Sequence, residues 1–140
     1  MGENTTVEFV WVHFMTHYIT HEDNHTLAIS GSIPQLGSWK IEQAAVAAEN
    51  PKHPGEWMTS IEIPADSRFE WKWVVISRDT MSVCRWEESS NRVTELDGKY
   101  YKCHAPWNNN AEYEIIPNVP GMYVSILCLS CFDIPILTNH

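Results

Sequence analysis

The chain has 140 residues and a formal net charge of −9, with nine Lys and Arg against eighteen Asp and Glu. That length suits one domain of ordinary size, able to bury a core without disulfides or a structural metal. The few, scattered cations speak against nucleic acid, because gripping phosphate backbones takes clustered Lys and Arg. Seven tryptophans exceed what a small core holds without strain, so the surplus is expected to face a ligand, and an uncharged one fits the charge balance.

Met1, Gly2 and Thr6 fit the loose N-myristoylation pattern, although one acyl chain holds a protein only marginally at a membrane. No apolar core of a signal peptide follows, so the expected location is the cytoplasm. Two consequences are expected there. Cys84, Cys103, Cys128 and Cys131 stay free thiols, and the sequons at Asn4 and Asn24 go unused.

Residues 7–14 read as the first strand, with Val7, Phe9 and Trp11 on one face. His13, His17, His21 and His25 recur every fourth residue, which on a helix would stack four imidazoles for a metal. The segment is nevertheless poor in helix formers (Val10, Val12, Tyr18, Ile19, Thr20, Thr26), and Asp23-Asn24 reads as a turn. A strand end and loop are expected, without a metal. Residues 27–30 form a short second strand, and GSIPQLGSW (31–39) is a loop whose glycines and proline fix its shape and hold Trp39 out of the core.

Residues 44–48 suit either a helical turn or a strand, and 49–56 form a polar loop. Trp57, Thr59, Ile61 and Ile63 alternate with Met58, Ser60 and Glu62, the pattern of a half-buried strand closed by Pro64, Ala65 and Asp66. In residues 69–75 the same period puts Phe69, Trp71, Trp73 and Val75 on one face and Glu70, Lys72 and Val74 on the other. A turn carrying Ser77, Asp79 and Ser82 returns the chain as an antiparallel partner ending at Trp86, followed by the polar run Glu87 to Arg92. Short strands at intervals of about ten residues, with no long helical period, predict an all-β fold, an antiparallel β-sandwich.

After Trp107 the chain changes character. Residues 122–132 are apolar, too short a run to span a bilayer, and Cys128 and Cys131 make a lone C-x-x-C without two further zinc ligands nearby. This tail suits a strand, a partner-binding segment or the product of alternative transcript processing.

GSIPQLGSW (31–39), FEWKW (69–73) and RWEESSNR (85–92), in that order and with EWMTSIEIPAD (56–66) between them, resemble the starch-binding domains of carbohydrate-binding module family 20. The resemblance covers residues 7–107 as one domain and leaves 108–140 as a tail. It implies an immunoglobulin-like sandwich that binds α-1,4-glucan (starch, glycogen and maltooligosaccharides) without catalysis or cofactor. By motif position it assigns sugar contact to Trp39, Lys72, Trp86, Glu87 and Asn91, with Trp57 at either a second sugar site or a packing position. The chemistry agrees, because a glucose ring offers an apolar C–H face to an indole and a hydroxyl rim to polar groups. The family's second site draws tyrosines from loops, whereas HEDNH (21–25) and AENPKHPG (48–55) contain no aromatic residue. Arg92 reads as a structural partner rather than a sugar contact.

Catalysis is not expected. Glu87 and Glu88 are neighbours that diverge on an extended chain, a poor acid–base pair for glycoside cleavage, and no G-x-S-x-G or phosphate-cradling glycine loop occurs. The competing reading is a β-sandwich that keeps the scaffold and binds protein, through its tail or an edge strand.

Overall fold

A computed structural model describes residues 8–96, 101–104, 106–108 and 114–117. Met1, Gly2, Asn4, Thr6, Val7 and the apolar run 122–132 with Cys128 and Cys131 lie outside the described residues. Ten strands are described in chain order. They are β1 (Phe9–His17), β2 (His25–Gly31), β3 (Ala45–Val46), β4 (Ala48–Glu49), β5 (Glu56–Pro64), β6 (Arg68–Ser77), β7 (Ser82–Trp86), β8 (Arg92–Glu95), β9 (Tyr101–His104) and β10 (Glu114–Pro117).

They form two sheets. One has the order β10-β9-β1-β5-β4, and the other runs β3-β2-β6-β7, with β8 pairing β6 beside β7. Every described pairing is antiparallel except β1 with β9. The segment 44–48, open between helix and strand in the sequence, becomes β3 and β4, which join different sheets. His13 and His17 fall on β1 and His25 on β2, so their spacing has no helical face to occupy.

The core lies between the sheets. Val10, Val12 and Phe14 of β1 and Trp57 and Ile63 of β5 meet Leu27 and Ile29 of β2 and Phe69, Trp71, Trp73 and Val75 of β6. The period-two reading of β6 therefore holds: its aromatic row is interior. Phe14 and Trp73 each pack edge-on to Trp71, with ring centroids 4.9 and 5.8 Å away. Buried indoles need an acceptor for their N–H. Trp71 donates to the Thr94 hydroxyl at 2.9 Å, and Trp57 donates to the Tyr18 carbonyl at 2.9 Å.

The face carrying Phe9 and Trp11 turns to solvent, where these residues are 44% and 45% exposed. Both faces of β1 are apolar in sequence, and Val10, Val12 and Phe14 take the interior. Arg85 registers with Val75 but is exposed, and it lies over the rings of Tyr18 and Trp107. It donates to the Tyr18 hydroxyl at 3.0 Å, and this bond is the main reason its guanidinium pKa is raised.

Candidate functional site

The outer face of the β2-β6-β7 sheet carries the site. Lys72 projects from it, opposite the buried aromatic row, and three neighbouring segments converge around it. The first is the 31–39 loop. Gly37, Ser38 and Trp39 have φ of 84°, 50° and 65°, three consecutive left-handed residues. Side chains resist this region, so the loop must be over-determined by other contacts. Leu36 is fully buried as its anchor, and Ser38 and Lys40 donate backbone bonds to Ile33 and Gly37 at 3.0 and 2.8 Å. Ser32 ties the loop to β6 twice, donating its N–H to the Glu70 carbonyl at 2.9 Å and accepting the Glu70 N–H on its hydroxyl at 3.0 Å. The reversal leaves Trp39 37% exposed above the sheet.

The second segment is the end of β7. Trp86 registers with Val74 and packs on the small outer cluster of Ala28, Val74 and Ile76, with Ile41, Ala44 and Met81 around it. Its ring lies 6.5 Å from that of Trp39 with 60° between the planes. The third is the β7–β8 connection, which supplies Asn91. Trp39, Lys72, Trp86 and Asn91 together line an open groove of about 410 Å³.

Glu87 stands apart from these four. It is 1% exposed, and its two oxygens accept four donors. Oε1 takes Arg92 Nε and the Trp73 N–H, both at 3.0 Å, and Oε2 takes Arg92 Nη2 at 2.6 Å and the Asn108 N–H at 2.9 Å. A carboxylate offers about four acceptor sites, so none is left over for a sugar hydroxyl. Glu87 and Arg92 form a buried clasp beneath the groove. Arg92 also donates to the Pro106 carbonyl and lies over Trp71, 5.2 Å from the ring centre. The structural role expected of Arg92 is the one it has here.

Trp57 is 3% exposed and packs within the core, on the other sheet from the groove. Glu88 is exposed and reaches Arg85 at 3.5 Å, so the two adjacent glutamates face different surroundings. Cys84 is a free, exposed thiol. Among the described residues no group of three or more His, Cys, Asp or Glu side chains is placed to hold a metal, and no helix is long and apolar enough to cross a membrane.

One residue was overlooked in the sequence. Glu70 accepts a hydrogen bond from Asn91 Nδ2 at 3.1 Å, beside the groove that Asn91 lines. The signal was available, because Glu70 shares the outward face of β6 with Lys72.

The family profile described as the starch binding domain matches residues 9–105. The chain belongs to carbohydrate-binding module family 20. It is 37% identical over 101 residues to human starch-binding domain-containing protein 1, covering 70% of this chain and 26% of that protein. The rat protein of the same name is 33% identical over 98 residues, covering 70% of this chain and 28% of that protein. The chain thus spans about a quarter of the length of these relatives. Among solved structures, the family 20 module of a maltotetraose-forming amylase from Pseudomonas saccharophila STB07 superposes with a TM-score of 0.61 at 20% identity, over 70% of this chain and all of that one. A glucoamylase from Hypocrea jecorina matches with a TM-score of 0.64 at 18% identity, over 74% of this chain and 18% of that one. At such identities these two show the fold, a β-sandwich of the family 20 kind.

Proposed function

We propose that the groove binds α-1,4-glucan without cleaving it, with Trp39 and Trp86 as stacking platforms and Lys72 and Asn91 as polar contacts. The observation that carries this reading is the pair of outward indoles 6.5 Å apart and inclined by 60°. Rings set at that angle suit consecutive glucoses of a curved α-glucan and mismatch the flat ribbon of a β-1,4-glucan. Family membership and the names of the starch-binding relatives point to the same ligand class. Glu87, placed by motif among the sugar contacts, acts in this proposal from below, holding the β7–β8 connection that presents Trp86 and Asn91.

Covering about 60 Å² of each indole contributes about 1.5 kcal/mol apiece at about 25 cal/mol/Å². Two polar contacts add about 0.5–1.5 kcal/mol each, against several kcal/mol of lost rigid-body freedom. The gross gain is thus about 4–6 kcal/mol before that cost, so the expected Kd for a short oligosaccharide is weak, on the order of 1 mM or above. In this reading the domain tethers an associated protein, or its own longer chain, to cytoplasmic glycogen, and firm attachment comes from many copies on one polymer.

The test is tryptophan fluorescence during titration with maltoheptaose and, separately, cellohexaose. A saturable change in that affinity range with the first and none with the second is expected. Equal responses would remove the argument from ring inclination, and no response to either would favour the protein-binding scaffold.

A further inference from the structure

The groove is flanked by two segments, the 31–39 loop and the β7–β8 connection, and Glu70 of β6 is bonded to both. Its backbone holds the first: the Glu70 carbonyl accepts the Ser32 N–H at 2.9 Å, and the Glu70 N–H donates to the Ser32 hydroxyl at 3.0 Å. Its side chain holds the second, accepting a hydrogen bond from Asn91 Nδ2 at 3.1 Å. Glu70 is half-buried on the outward face of β6, two residues from Lys72, whereas the groove itself is lined by Trp39, Lys72, Trp86 and Asn91.

The chemistry of the side-chain bond fixes an orientation. An amide has two flips of nearly the same shape, one presenting its NH2 group to a given neighbour and the other its carbonyl oxygen. Asn91 is exposed, so burial does not choose between them. Glu70 does, because a carboxylate carries acceptors alone. Only the flip with Nδ2 toward Glu70 makes a hydrogen bond, and the other sets two oxygens against each other. With one Nδ2–H committed to Glu70, the amide keeps Oδ1 as an acceptor on its opposite edge.

We propose that Glu70 is a positioning residue: without touching the sugar, it fixes the flip of Asn91 so that the groove offers Oδ1 as an acceptor to a glucose hydroxyl. This rests on the glucan reading of the groove. It makes that corner of the site selective for a hydroxyl donor, since an ether oxygen placed there meets Oδ1 as a like acceptor.

The test exchanges donor and acceptor across the pair. Maltoheptaose is titrated into the full chain, into Glu70→Ala, into Asn91→Asp and into the double variant Glu70→Gln with Asn91→Asp, following the indole N–H signals of Trp39 and Trp86 by NMR. Glu70→Ala is expected to weaken binding roughly two- to ten-fold, the span of one hydrogen bond's net contribution. Asn91→Asp sets two carboxylates side by side and is expected to weaken it at least as much. In the double variant the new glutamine donates and the new aspartate accepts, which leaves a carboxylate oxygen for the sugar. Affinity then returns to within about twofold of the unaltered chain, a recovery that a merely structural role does not produce. Glu70→Ala binding as tightly as the unaltered chain would overturn the proposal, and so would a double variant no stronger than Asn91→Asp alone. An unaltered chain that binds no maltoheptaose would remove the glucan reading and the proposal with it, so the first titration tells the two failures apart. The backbone bonds of Glu70 to Ser32 survive every substitution, and cooperative thermal unfolding of each variant checks the fold.

Discussion

Glu87 and Asn91 lie on the same connection between β7 and β8, yet only Asn91 reaches the groove. The difference is burial. Glu87 gives all its acceptor capacity to Arg92, Trp73 and Asn108, and it is paired because an unpaired carboxylate in that position would be prohibitive. Removing one partner of such a pair strands the other charge, at a cost of about 3–5 kcal/mol. Glu87→Ala is therefore expected to lower unfolding stability by about that amount in urea titration. A loss below about 1 kcal/mol, with glucan affinity abolished, would instead return Glu87 to direct contact. In the sequence Glu87 looked like its polar neighbours, because a run such as WEESSN carries no mark of which carboxylate turns inward. Trp39 and Lys72 could be set apart from the core for the opposite reason, a glycine-flanked loop and the strand period, whereas Trp86 was placed only by its position at a strand end and by motif.

The 31–39 loop shows how an element positions a residue that packing alone would bury. Trp39 is apolar enough for the core, and the left-handed backbone at Gly37, Ser38 and Trp39 keeps it out. Gly37 is the position where glycine is required twice over. Its φ is 84°, and an added Cβ would sit 2.5 Å from the Gln43 carbonyl oxygen. Gly37→Ala should therefore rearrange the loop, weakening glucan binding at least several-fold while the two sheets stay folded. Isothermal titration beside far-UV circular dichroism checks this, and unchanged affinity would mean that Trp39 is positioned by something other than this turn. The two glycines and proline announced a shaped loop in the sequence, but not which residues would be left-handed. β1 was harder: Phe9 and Trp11 alternate with Val10 and Val12, so the strand was clear and its inward face was not. Only the packing against the opposing sheet, with Trp71 and Trp73, fixes the side of Val10, Val12 and Phe14 as the inner one.

At the scale of the whole molecule, the two sheets separate two kinds of surface. One outer face carries the groove of Trp39, Lys72, Trp86 and Asn91, and the other carries the aromatic pair Phe9 and Trp11. The fold was readable because short strands at regular spacing permit few architectures. The parallel pairing of β9 with β1 was not, since it joins segments far apart in sequence and depends on which sheet edge is free. The openness of this groove also sets the strength of the interaction, because one small platform does not hold a polymer tightly by itself.

The most direct measurement is isothermal titration of the full chain with maltoheptaose, beside Trp39→Ala and Trp86→Ala variants whose thermal unfolding remains cooperative. Weak binding, with a Kd on the order of 1 mM, reduced at least tenfold in each variant, is the result predicted by a groove built on two indoles. Undiminished binding in both folded variants would contradict it and place the glucan elsewhere on the molecule.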